Sequence, residues 1–125
     1  MNLHDVFVYG TLRRGGTNHH VISKSPCMQA NYIIRGYCLY DYQHWYPYMI
    51  GGLENDQVIG EIYRVDQHML NQLDILEDVK NKLYKLIFLP NHQCYTYIKY
   101  DKNVEGLSRI VSGNWIEYIK SLKLS

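Results

Sequence analysis

Two features of this 125-residue chain have the residue types and spacing to do chemistry. The first is Val6-Phe7-Val8-Tyr9-Gly10-Thr11-Leu12, followed by Arg13-Arg14-Gly15-Gly16-Thr17-Asn18-His19-His20. A β-branched and aromatic run stops at a Gly-Thr turn and opens into a polar, glycine-rich, basic loop. Such a strand end gathers backbone N–H groups with no side chain in the way. That concavity can hold an anion or a developing oxyanion. An ordinary first strand and turn would carry the same residues, so the segment needs a chemical partner to become a site.

Glu77 is the candidate partner. The run Asp66 to Asp78 has helical periodicity, with Asp66 as its cap and Leu70 and Leu73 on its apolar stripe. Glu77 follows Leu73 by one helical turn, which places a carboxylate on that same stripe. It also falls in the last turn, where the helix dipole disfavours negative charge. Burial and the dipole both raise the pKa of an acid, and a Glu raised toward 7 is a better base at neutral pH. A solvated Glu at a frayed helix end is the plain alternative. Asp74 lies on a neighbouring stripe, able to cap or to pair with Lys80 or Lys82. Glu61 is a third acid, inside a strand.

Other reactive types are poorly placed for chemistry. Cys27, Cys38 and Cys94 are odd in number and lack a C-x-x-C pair, so neither zinc nor a disulfide is expected. Their apolar and aromatic neighbours predict buried free thiols. The adjacent His19 and His20 point differently and have no third ligand at suitable spacing, so no metal site is expected. His19 is expected to pack beside the strand-end loop and hold its shape. His4, His44, His68 and His92 read as scattered surface residues, and Arg13 and Arg14 as solvated loop charges. Most of the 13 tyrosines suit strands, with a few lining a ligand site.

The elements that must position these groups follow from periodicity. Leu3 to Tyr9 reads as a strand and Asn18 to Lys24 as a short helix. Ala30 to Tyr40 reads as one strand bent at Gly36, Asp41 to Pro47 as a loop, and Tyr48 to Ile50 as a short strand before Gly51-Gly52. Gln57 to Val65 alternates, with Val58, Gly60 and Ile62 on one face and Glu61, Tyr63 and Val65 on the other. The helix from Asp66 follows. Leu83 to Leu89 and Cys94 to Tyr100 form a hairpin, and Trp115 to Leu122 a terminal helix. Strands outnumber helices. The fold class is therefore α+β, a small mixed, largely antiparallel sheet closing toward a β-barrel with short flanking helices.

Composition bounds the rest. Apolar residues at 46% and charged residues at 20% predict one globular domain spanning residues 1–125. A net charge of +1 lacks the basic surplus of a nucleic-acid binder. No apolar run is long enough for a membrane span, and the start lacks a signal peptide's apolar block. A cytoplasmic monomer is the default expectation.

The order of the pieces carries a resemblance. Tyr9-Gly10-Thr11-Leu12, Asn18-His19, Gly36-Tyr37-Cys38-Leu39-Tyr40, Tyr46-Pro47, Gly60-Glu61-Ile62-Tyr63, Leu73-Asp74-x-x-Glu77, Leu83-Tyr84 and Ser112-Gly113-x-Trp115 occur in one sequence. Together they resemble the γ-glutamylcyclotransferase-like (AIG2-like) family, its small γ-glutamylamine cyclotransferase members in particular. The resemblance implies a small mixed β-barrel and a cofactor-independent enzyme that releases 5-oxoproline from a γ-glutamyl amide. It implies that Tyr9, Gly10, Thr11 and Leu12 cradle the substrate, that Glu77 is the catalytic acid/base, and that Tyr84 is a pocket tyrosine. The chain departs from the pattern at Leu86, Asp78 and Asn114, where members often carry Arg, Gly and Asp. A binding module without turnover, or an amidohydrolase releasing glutamate, would use the same pocket.

Overall fold

The computed structural model describes residues 2–123. Eight strands and three α-helices run in the order β1 (Leu3–Val8), α1 (His19–Ile22), β2 (Cys27–Arg35), β3 (Tyr37–Tyr42), β4 (Tyr46–Gly51), β5 (Gln57–Asp66), α2 (Gln67–Leu76), β6 (Tyr84–Leu89), β7 (Cys94–Lys99), β8 (Ser108–Ile110) and α3 (Trp115–Lys123). A single 3-10 turn, Val79–Asn81, links α2 to β6. The fold is α+β, as the sequence predicts.

The strands form two hydrogen-bonded sheets, β2-β5-β1-β7-β6 and β4-β3-β8, with β4 lying alongside β7. Pairing is antiparallel except between β1 and β7, where Val6 meets Tyr95 and Phe7 meets Thr96 in parallel register. β1 sits in the middle of the larger sheet and is buried on both faces. Its alternation therefore divides the core. Val6 and Val8 pack with Tyr63, Val65, Leu70 and Leu73 under α2. Phe7 and Tyr9 pack with Val58, Ile62, Leu39, Met49 and Trp115 on the other side. The period-2 reading of β5 matches this split residue for residue.

Gly36 marks a larger event than a bend. With φ at +84°, it ends β2 and starts β3, and the two strands belong to different sheets. The expected loop from Asp41 to Pro47 is mostly strand: β3 and β4 pair from Tyr37↔Gly51 to Tyr42↔Tyr46 around a turn at residues 43–45. The short β8 lay outside the sequence reading. The thiols of Cys38 and Cys94 are buried as expected, but Cys27 is exposed, because it begins the edge strand β2.

Candidate active site

Both chemical features reach one place. A cavity of about 140 Å³ opens where β1 ends, and Tyr9, Gly10, Thr11, Leu12, Glu77 and Tyr84 all line it. Trp45, Pro47 and Tyr97 complete the wall from β7 and the β3–β4 hairpin. Nothing in the local sequence singles these out as site residues.

The loop after β1 is held by its carbonyls. Arg13 N–H donates to the Gly10 carbonyl at 3.1 Å, Asn18 N–H to the Thr11 carbonyl at 2.8 Å, and His19 Nδ1 to the Leu12 carbonyl at 2.9 Å. A carbonyl only accepts, so His19 carries its proton on Nδ1 in this contact. His19 thus holds the loop's shape, as expected. In a trans peptide the following N–H lies opposite the C=O. Fixing the Gly10 and Thr11 carbonyls therefore fixes the direction of the Thr11 and Leu12 N–H groups. Asn18 Nδ2 adds a bond to Thr11 Oγ1 at 3.0 Å.

Two glycines are dictated by close approach. A Cβ on Gly10 would stand 2.7 Å from the Pro47 ring, and one on Gly16 only 2.2 Å from the Thr11 carbonyl oxygen. Only glycine leaves room for the Pro47 ring at the first position and for the loop's own backbone at the second.

Arg13 is not a solvated loop charge. It is buried, with Nε donating to Glu61 Oε2 at 2.5 Å and Nη1 to Asn114 Oδ1 at 2.9 Å. Glu61 also accepts from the Arg14 backbone N–H at 2.8 Å. The loop after β1 is thereby tied to β5 and to the start of α3. Arg14 remains exposed, as expected. Asn114, one of the departures, keeps the acceptor oxygen that Arg13 needs.

Glu77 immediately follows α2. Asp66 caps the start, accepting from Met69 N–H at 2.8 Å, and the helix ends at Leu76, earlier than its periodicity suggests. The Glu77 N–H still donates to the Leu73 carbonyl at 2.9 Å, so the residue's backbone continues the last helical turn. Asp78 then takes a left-handed conformation, φ 54°. Glycine adopts it without strain and Asp tolerates it, so this departure preserves the turn.

The Glu77 carboxyl is accessible only in part, through the cavity it lines. Burial pushes its pKa up to about 7, with no cation or hydrogen bond among the described residues to offset it. Three tyrosines feel its charge. Burial first, and the Glu77 charge as well, raise the pKa of Tyr9, Tyr84 and Tyr97. Each hydroxyl proton is already directed elsewhere. Tyr9 donates to the Tyr97 carbonyl at 2.6 Å, Tyr84 to the Pro47 carbonyl at 2.7 Å, and Tyr97 to Asp74 Oδ1 at 2.6 Å. Asp74 therefore serves Tyr97, rather than Lys80 or Lys82. The wall around Glu77 offers acceptors.

Leu86, the third departure, is partly buried against the α2-side core, and Lys85 beside it is exposed. In the Asn18-His19-His20 run, Asn18 and His19 are engaged by the loop bonds above and His20 is exposed. Among the described residues, no three His, Cys, Asp or Glu side chains converge as a metal site, and no helix is long and apolar enough to cross a membrane.

With this geometry in view, comparison with known proteins is informative. The family model for gamma-glutamyl cyclotransferase, AIG2-like, matches residues 6–117. The chain belongs to this family. A Vibrio cholerae relative is 39% identical over 117 residues, covering 93% of this chain and 98% of its own. The solution structure of the Escherichia coli protein YtfP superposes with a TM-score of 0.68 at 34% identity, over 91% of this chain and 97% of that one. A zebrafish protein named gamma-glutamylaminecyclotransferase C is 39% identical over 84 residues, 62% of this chain and 55% of that protein. The family match spans the loop after β1, Glu77 and Tyr84 alike.

Proposed function

We propose that this protein is a γ-glutamyl cyclotransferase: it cyclises the γ-glutamyl group of an L-γ-glutamyl amine or amino acid, releasing 5-oxoproline and the free amine. The observation that carries the reading is a largely buried Glu77 carboxyl, its pKa pushed up to about 7 by burial, lining the same cavity as the braced Tyr9 to Leu12 loop.

The steps follow from what each wall can offer. The loop's N–H groups take the glutamyl carboxylate or carbonyl and fold the substrate, so that its α-nitrogen lies near its own γ-carbonyl. Holding the two ends in a near-attack geometry can supply roughly 7–11 kcal/mol. The acceptor-rich wall of Glu77 and tyrosine oxygens suits an ammonium. Glu77 removes a proton from it, and the freed lone pair attacks the γ-carbon. A C–N bond forms and the carbonyl oxygen becomes an oxyanion. The Tyr9, Tyr84 and Tyr97 protons are engaged elsewhere, so the oxyanion's donors are backbone N–H groups of Gly10 to Leu12. Losing one such donor typically costs about 2.7–4 kcal/mol. Glu77 then returns its proton to the amide nitrogen, and the scissile C–N bond breaks as the oxyanion re-forms the carbonyl; the second proton of the new ring nitrogen passes through Glu77 to the departing amine, which leaves as an ammonium. No covalent enzyme intermediate is required. Tyr84 helps to hold the γ-glutamyl group and keeps Pro47 against Gly10.

Product analysis tests this. The purified chain is incubated with a panel of L-γ-glutamyl amines and amino acids, and both 5-oxoproline and free glutamate are quantified. 5-Oxoproline with a stoichiometric amine is expected. Free glutamate would make the protein an amidohydrolase with Glu77 activating water. Neither product, with ligand bound, would make it a binding module.

A further inference from the structure

A second concavity, also about 140 Å³, lies on the other side of Trp45. The two cavities share that indole, and they share a loop: Thr11 and Leu12 face the first, Gly15 to Thr17 the second. Its floor is one stripe of α3. Ile116, Ile119, Lys120 and Lys123 recur at helical spacing beside Trp115. The stripe is apolar toward the start of the helix and cationic toward its end.

Three observations make this a built groove. Gly15, at φ +90°, leaves the loop close against Ile116, with a Cβ position only 3.5 Å from Ile116 Cγ2. The turn carrying Trp45 is anchored from behind. Buried Asp41 accepts from the His44 N–H at 2.7 Å, from Tyr118 Oη at 2.6 Å, and from the His44 ring. Trp45 itself is 63% exposed on a rigid mount, and it packs edge-on against Tyr42. Finally, neither Lys120 nor Lys123 has an ion-pair partner among the described residues, and Asp41, the carboxylate behind the groove, is already engaged.

We propose that this groove is the subsite for the departing amine, and that it selects γ-glutamyl conjugates whose amine portion is apolar beside the scissile amide and ends in a carboxylate. The inference rests on the cyclotransferase reading above. The first cavity is lined by no Lys or Arg, whereas the groove that shares Trp45 with it is lined by Lys120 and Lys123, which supply a counter-charge for a second carboxylate on the substrate. Trp45 and the isoleucines cover the apolar portion, and the two ammonium groups meet the terminal anion.

The test compares γ-L-glutamyl-L-phenylalanylglycine with its C-terminal amide, reading 5-oxoproline release by the full chain. The free acid is expected to have the higher kcat/KM, by about three- to tenfold and mostly through KM, as two exposed ion pairs would give. The preference should shrink in 0.5 M NaCl and collapse toward one in a Lys120→Glu/Lys123→Glu variant, whose substitutions are on the surface. Equal kcat/KM for acid and amide, or a preference that survives charge reversal, overturns the subsite. Absence of 5-oxoproline from both, and from the γ-glutamyl panel above, overturns the cyclotransferase reading instead. The groove is then judged by binding. Trp45 and Trp115 are the chain's two tryptophans and both line it. A fluorescence response at lower concentration of acid than of amide supports the subsite, and identical responses overturn it.

Discussion

Arg13 Nε meets Glu61 Oε2 at 2.5 Å, with both side chains only 7% exposed. This buried pair joins the loop after β1 to the neighbouring strand β5. Its charges are 48 residues apart in sequence. Taking two ions out of water is costly, and removing one partner leaves the other unpaired. Arg13→Met and Glu61→Leu are each expected to destabilise the fold by about 3–5 kcal/mol in urea unfolding. The double variant should lose much less, because two apolar groups can replace a buried pair at little net cost. Double-variant loss equal to the sum of the singles would contradict this.

Gly10 and Pro47 are coupled to Tyr84. A Cβ at position 10 must push the Pro47 ring away, and the Pro47 carbonyl is what Tyr84 Oη bonds. Gly10→Ala is therefore expected to destabilise by about 1–3 kcal/mol, as overpacking does, and to lower kcat/KM by more than tenfold. Tyr84→Phe removes only the hydrogen bond and should cost about 1 kcal/mol of stability. Its activity should stay well above that of Gly10→Ala, and steady-state kinetics on both variants would show whether it does.

The raised Glu77 pKa has two pH signatures. The folded state holds this proton up to about pH 7, whereas the unfolded chain releases it near 4.5. Between those values the folded state binds more protons, so stability falls as pH rises through the window and then levels off. The loss is on the order of 3 kcal/mol. Glu77→Gln should therefore raise the melting temperature at pH 8 and leave it nearly unchanged at pH 4.5. In the wild type, the acid limb of kcat/KM should fall near pH 7. An equal melting shift at both pH values would contradict the burial assignment.

Much of this was legible locally. The period-2 pattern of β5 and the helical spacing from Asp66 placed the elements, and the spacing of Glu77 from Leu73 put the acid on the buried side. What escaped was long-range. Arg13 sits among glycines and a second arginine, a composition that signals solvent, and its partners Glu61 and Asn114 arrive only through folding. Gly36 has the φ of a bend, but the change of sheet depends on which strands β2 and β3 find. Trp45, Pro47 and Tyr97 reach the cavity from distant elements, and β8 is three residues of ordinary composition. Cys27 has apolar neighbours in sequence and an edge strand in space.

The most direct measurement is turnover by Glu77→Gln, which keeps the shape of the site and removes the base. With the best γ-glutamyl substrate of the wild type, 5-oxoproline release should fall to near background while substrate still binds with similar affinity by calorimetry. Turnover at the wild-type rate would contradict the assignment of Glu77 as the proton carrier.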